Sequence, residues 1–265
     1  MLSSLRRRAA SEDGFTLVEL LVTTTMAIVL CLGAYALLDF TGEDIARTTS
    51  RVHVDQRGRV SLEAIMEHLH SACVASLVTP VLASSSGTVL RFISEASESP
   101  TISTATLHKL IYETGKKSTE GKLIEDSWKS LASSVAPHYS FNEAEKPTTK
   151  LLMNDISETS VKGGKTTEVL PVFRYYRYYR ESDAGAVYGE LDPTPIAGEL
   201  TESEAARVAR VTIAFTMNPE GDEGFSYGGG FGIGRPVTFE DSAILRVAPS
   251  SSSSIVSNLP CENQV

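Results

Sequence analysis

The sequence predicts an α+β protein: a long N-terminal helix, membrane-spanning in its first half and amphipathic in its second, packed on an antiparallel β-sheet. Three observations lead there. From Phe15 to Leu38 the chain holds no lysine or arginine and a single charged residue, Glu19. Apolar residues then recur at helical spacing through Leu62, Ile65, Met66, Leu69, Ala72 and Cys73. Beyond residue 76 the chain breaks into β-prone runs separated by Gly, Ser and Pro turns.

The apolar run 15–38 is long enough to cross a hydrocarbon core of roughly 30 Å at about 1.5 Å per residue. A carboxylate within such a helix costs roughly 2.5–3.5 kcal/mol on insertion scales, so Glu19, at the fifth place of the run, calls for a partner. Arg6, Arg7 and Arg8 precede the run and place its start on the cytoplasmic side. A secretory signal carries its small-residue cleavage site after the apolar stretch, whereas here Gly14 stands before it. Cleavage at Gly14 would leave the apolar helix on the mature chain.

The stretch Gly14-Phe15-Thr16-Leu17-Val18-Glu19-Leu20-Leu21-Val22 resembles the class III signal of type IV prepilins and type II secretion pseudopilins. The resemblance implies cleavage between Gly14 and Phe15 by a prepilin peptidase and methylation of the new N-terminal Phe15. It also implies that Glu19 pairs with the N-terminal amine of a neighbouring subunit, which would supply the partner that burial of the charge demands. Three features depart from the family pattern: Glu12 and Asp13 directly before the glycine, the polar Thr23-Thr24-Thr25, and Ala36 where major pilins commonly carry proline. The last of these favours a minor pilin or pseudopilin over a bulk subunit.

Read this way, residues 1–14 form a cleaved leader, 15–38 the transmembrane helix, 39–75 its extracytoplasmic continuation, and 76–265 a β-rich domain with the pilin fold. The continuation weakens at Asp39-Phe40-Thr41-Gly42, and Gly58 costs it roughly 1 kcal/mol relative to alanine. Strands are expected at 88–93, 106–112, 122–128, 169–179, 209–217 and 242–247. Residues 142–168 read as a loop with a short strand at 151–153, and 181–195 and 218–234 as loops. The order resembles the larger minor members of the family, the PilW and GspJ type, in which Phe173-Arg174-Tyr175 and Val211-Thr212-Ile213-Ala214-Phe215 would fill the last two strand slots.

Cys73 and Cys261 both fall in the part placed outside the cytoplasm, where a disulfide persists, and are expected to pair; two free thiols are the alternative. Cys31 sits within the apolar run. A net charge of −9 argues against a general polyanion-binding surface, so nucleic acid is not the expected partner.

Other constellations are weaker. His70 and Cys73 share a helix face but His68 does not, a poor zinc spacing. Asp222 and Glu223 among glycines supply part of a calcium ligand set without its D-x-D-x-D-G pattern, so a solvated turn is the better reading and no cofactor is expected. Gly230 to Gly234 lack the strand–helix setting of a dinucleotide fingerprint. In Phe173 to Arg180, strand alternation puts Tyr175, Arg177 and Tyr179 on one side and Arg174, Tyr176 and Tyr178 on the other, so at most one face would stack bases or another flat ligand; a half-buried strand is the plainer reading. No nucleophile elbow, H-E-x-x-H or phosphate loop occurs, and the five histidines lack evident nucleophile partners.

The expectation is therefore a non-enzymatic minor pilin or pseudopilin, anchored once in the plasma membrane with its C-terminal domain outside. Its expected partners are the prepilin peptidase, other pilins or pseudopilins, and the membrane platform of their assembly machine. A DNA-uptake or adhesive tip module on the same anchor is the runner-up, ahead of a membrane-anchored enzyme.

Overall fold

A computed structural model describes residues 16–72, 80–99, 102–116, 120–132, 134, 139–163, 166–179, 190–218 and 236–245. The chain divides into two compact units, Met1–Thr49 and Ser50–Val265, and helix α1, Leu17–His70, contributes to both. Thr16 opens the helix: its Oγ1 accepts the Glu19 N–H at 3.3 Å and its carbonyl accepts the Leu20 N–H at 3.1 Å. The segment Leu17–Gly42 is long and apolar enough to span a membrane, and none of it is buried.

In the second unit the buried face of α1 is Val54, Gly58, Leu62, Ile65, Met66 and Leu69, a helical stripe that begins earlier than the sequence pattern suggested. Ile45 and Val52, apolar residues that precede the stripe, are exposed. The helix also stops short of the expected residue 75. Its last turn tightens through Ala72 N–H to the Leu69 carbonyl, and Ala72 then bridges Ser94 of the sheet.

The remainder supplies β1 (Val89–Ser99), β2 (Ile102–Glu113), β3 (Gly121–Lys129), β4 (Thr148–Ser157), β5 (Thr159–Gly163), β6 (Thr166–Leu170), β7 (Phe173–Arg177), the short α2 (Glu202–Ala205), β8 (Val208–Met217) and β9 (Val237–Ile244). Seven strands make one antiparallel sheet in the order β1-β2-β3-β4-β8-β7, with β9 on β8; β5 and β6 form a separate hairpin. Strand β8 is the hub. Its residues 208–213 pair with β7, Thr216 and Met217 pair with β4, and Arg210–Met217 pair with β9. It is also the most completely buried strand, in keeping with Val208, Ala209, Val211, Ile213, Ala214 and Phe215, whose apolar side chains dominate it.

Two expected features differ. Residues 142–168 hold β4, β5 and the start of β6 where mainly loop was expected. Their Thr, Lys and Glu content reflects a solvent-facing hairpin, in which even Val161 and Val169 are exposed. The single strand expected over 169–179 is broken at Pro171, which has no N–H for a ladder; β6 ends at Leu170 and β7 starts at Phe173.

The main core lies between the stripe of α1 and the sheet, with Phe92, Leu110, Leu123, Met153, Tyr175, Val211, Ile213 and Phe215 from the strands. A second cluster, Ile93, Ala105 and Leu107, is covered by Leu82, Trp128, Tyr139 and Phe141. Helix and sheet are also pinned by polar contacts at β4. The Arg57 guanidinium donates to the Asn154 carbonyl (3.0 Å) and to Asn154 Oδ1, and lies 3.9 Å from the Asp155 carboxylate. Asp155 adopts a left-handed φ of 56° there, at the point where β4 turns from β3 toward β8.

Gly58 shows why helix propensity was not the deciding factor. A Cβ on it would stand 2.4 Å from Cζ of Phe239, whose ring stacks on Phe215 with centroids 5.4 Å apart. The glycine admits a β9 phenylalanine against the helix backbone. Gly58→Ala is therefore expected to lower stability by about 1–3 kcal/mol through overpacking, although it gains roughly 1 kcal/mol of helix propensity. Thermal unfolding of the full chain in detergent tests this, with Phe239→Leu expected to abolish the penalty. A raised midpoint for Gly58→Ala in the wild-type background would show that the ring does not hold this position.

Candidate functional site

Two places in the chain hold charge where the surroundings oppose it. The first is Glu19, in the opening turn of α1 within the exposed apolar segment Leu17–Gly42. Its carboxylate lies close to the positive end of the helix dipole, a favourable location for an anion. The Thr23 hydroxyl donates to the Glu19 carbonyl at 2.9 Å, and Thr24 and Thr25 likewise donate to carbonyls one turn back, at 2.9 and 3.0 Å. The three threonines that make this segment unusually polar thus satisfy their hydroxyls within the helix, which lowers their cost in an apolar medium. The Glu19 carboxylate is left to seek a partner beyond its own helix turn. Gly14 and Phe15 lie outside the described residues.

The second is a polar row buried under α1. Ser94 on β1, His108 on β2 and Glu125 on β3 are 4 %, 6 % and 7 % exposed. His108 Nε2 lies 2.8 Å from Ser94 Oγ and its Nδ1 lies 2.6 Å from Glu125 Oε1. The β1–β2 and β2–β3 registers, Phe92 opposite His108 and Leu110 opposite Glu125, bring the three side chains onto one diagonal of the sheet. The His108 ring lies against Phe92 (centroids 5.0 Å, 12°) and against His68 of α1 (4.9 Å, 31°). A cavity of about 10 Å³, the size of one water molecule, sits beside the row, lined by His68, Phe92, Leu110, Glu125, Lys150 and Leu152 among others.

Hydrogen bonding to His108 holds the Glu125 carboxyl below the usual carboxylate range, against the opposing effect of burial. The row therefore contains a carboxylate that stays ionised under the helix. Its connectivity, hydroxyl to imidazole to carboxylate, is that of a hydrolytic triad, and Ser94 supplies a hydroxyl to a histidine for which no sequence pattern revealed a partner. The burial of Ser94 closes the approach that an acyl carbon would need, so in this conformation the row orders the core and does not meet a substrate.

The aromatic strand is largely buried, in keeping with the plainer of its two sequence readings. Tyr175, Arg177 and Tyr179 do not form an open stacking face. Tyr175 is 1 % exposed, its hydroxyl donates to the Val89 and Ser86 carbonyls at 2.8 and 3.1 Å, and burial raises its pKa well above the ordinary phenol value. Tyr176 is buried too, beneath the Arg210 guanidinium at 4.0 Å from its ring centroid. Arg174 pairs with Glu240 (2.7 Å) and Arg177 with Asp192 (3.4 Å). The cause lies on the faces of β7: Tyr175 joins the main core cluster on one, and Tyr176 lies under the Arg210 guanidinium of β8 on the other, while backbone bonds such as Asp192 N–H to the Arg177 carbonyl (2.8 Å) hold residues 190–196 along its free edge.

Cys73 and Cys261, and the calcium candidates Asp222 and Glu223, lie outside the described residues; Cys31 is an exposed free thiol. Among the described residues no group of three or more His, Cys, Asp or Glu side chains is arranged to hold a metal ion. Compared with known proteins, the chain matches no family model, no curated protein and no solved structure.

Removing one member of the buried pair leaves the other without its partner. His108→Leu is expected to cost about 3–5 kcal/mol, and adding Glu125→Leu to recover much of it, since an apolar pair can replace a buried ionic one. Ser94→Ala should cost only about 1 kcal/mol. Denaturant unfolding followed by Trp128 fluorescence measures all three, because Trp128 is the single tryptophan and lies on β3. A double variant no more stable than His108→Leu would show that an apolar pair does not replace this buried one.

Proposed function

We propose that this chain is a minor pilin or pseudopilin, a structural subunit held in the membrane by its N-terminal helix and added to a filament by helix packing. A prepilin peptidase cuts between Gly14 and Phe15, Phe15 is methylated, and the Glu19 carboxylate pairs with the N-terminal amine of a neighbouring subunit. The outer β-rich domain follows the pilin fold, and a Cys73–Cys261 disulfide ties its end to the close of the N-terminal helix. Its partners are other pilins or pseudopilins and the platform of the assembly machine in the plasma membrane.

The observation that carries this reading is Glu19, the one charge between Phe15 and Leu38 and at the fifth place after Gly14, in an apolar helix segment that is not buried. A lone carboxylate is costly in lipid and gains most from a cation brought by another chain. The architecture is compatible: α1 continues from that segment to His70, and its later turns pack on an antiparallel sheet.

Intact-mass analysis under non-reducing conditions, of protein produced with and without a prepilin peptidase, tests the processing. The expected product begins at methylated Phe15 and is two hydrogens lighter than its reduced form; a chain still beginning at Met1 beside active peptidase sinks the proposal. Glu19→Val is expected to ease membrane insertion by roughly 2.5–3.5 kcal/mol while abolishing cross-linking to neighbouring subunits. Undiminished cross-linking of that variant would remove Glu19 from the assembly step.

A further inference from the structure

The contact between His68 and the buried row has a consequence that is independent of the pilin reading, since it lies wholly within the unit Ser50–Val265. His68 is the only member of the stack on α1, and it is exposed on its outer side while its ring meets that of His108. The groups that face it come from every element nearby: Glu67 on its own helix, His108 on β2, Glu125 on β3 and Lys150 on β4, with Phe92 of β1 stacked on His108. Glu125 Oε1 is already engaged by His108. A positive charge on His68 would meet that satisfied pair and the Lys150 ammonium, across a cavity with room for one water.

We propose that the His68–His108 contact is an acid-sensitive clasp: a proton on His68 pushes the two rings apart and loosens the last turns of α1, Leu62 to His70, from strands β1 to β4. Protons reach His68 from solvent, whereas Leu62, Ile65, Met66 and Leu69 beside it are buried, so one surface event acts directly on the helix–sheet core.

The direction of the response follows from the surroundings of His68. Burial first, and then the electrostatic effect of His108, lower its pKa from the ordinary 6.5, outweighing the pull of Glu125 and Glu67. The neutral ring is therefore favoured in the folded chain. Its contribution to stability is complete above pH 6.5 and is lost as the pH falls through the depressed value. Glu125, also lowered, acts in the same direction but only below the ordinary carboxylate value of 4.5, so the two windows separate.

Hydrogen exchange and thermal unfolding of the full chain in detergent, between pH 7.5 and pH 5, read the clasp. In the wild type the midpoint should fall across this interval, and exchange over residues 62–70, corrected for its intrinsic pH dependence, should rise several-fold more than in β8. His68→Phe, which keeps a stacked ring without a titratable nitrogen, should remove both changes; unchanged pH dependence in that variant overturns the clasp. Should His68→Phe not fold, NMR titration of the wild-type His68 ring decides: a midpoint below the ordinary imidazole value supports the clasp, and one at or above it overturns it.

Discussion

The seating of α1 on the sheet is the contact on which the second unit depends. Val54, Leu62, Ile65, Met66 and Leu69 are each less than a tenth exposed, and the strands offer Phe92, Leu110, Leu123 and Met153 as the opposing surface. At roughly 1.5–3 kcal/mol for each large apolar side chain fully buried, this stripe outweighs any single polar contact in the unit. Other features are fitted to it. Gly58 makes room for Phe239, Arg57 fastens the bend of β4, and Ala72 leaves the helix by bridging directly to β1.

The same helix shows how sequence composition assigns surroundings. In Leu17–Gly42 apolar residues occupy every side and none is buried within the chain, so the surface calls for an apolar medium or other helices. From Val54 onward all but Val60 of the large apolar residues occupy one side, with Arg57, Arg59 and Glu63 away from it, as expected of a helix with the core on one side and water on the other. Charge within the first segment and charge within the core obey one rule, that an ion out of water needs an opposite partner. Glu125 finds His108 at 2.6 Å, whereas Glu19 stands in a helix segment none of which is buried within the chain.

The buried row also explains a division of labour among the histidines. His108, held from both nitrogens, has its ring fixed by Ser94 and Glu125. His68 is fastened only through ring stacking and stays open to solvent on its outer side. A buried ion pair is weak as a source of stability but strong in specifying geometry, because only one register of β1, β2 and β3 brings the three side chains together.

Much of this protein was legible along the chain. The apolar run with one carboxylate, the helical stripe from Leu62 to Ala72, and the strands at 88–93, 106–112, 122–128 and 209–217 are local patterns, and period and composition suffice to reveal them. The β5–β6 hairpin was not legible, because Thr-Ser-Val-Lys-Gly and Thr-Thr-Glu-Val-Leu carry no apolar alternation, and even Val161 and Val169 are exposed. Nor was the fate of the tyrosines: alternation assigns sides to Tyr175 and Tyr176, but only the elements packed on β7 decide that both sides are covered. The row of Ser94, His108 and Glu125 joins residues from three strands, and nothing in their spacing marks them. The sequence by itself determined the segments and the kind of medium each requires, since those follow from the order of polar and apolar side chains. Only the tertiary structure decided which distant residues share a buried charge, since strand register sets that pairing and register arises from the packed core as a whole.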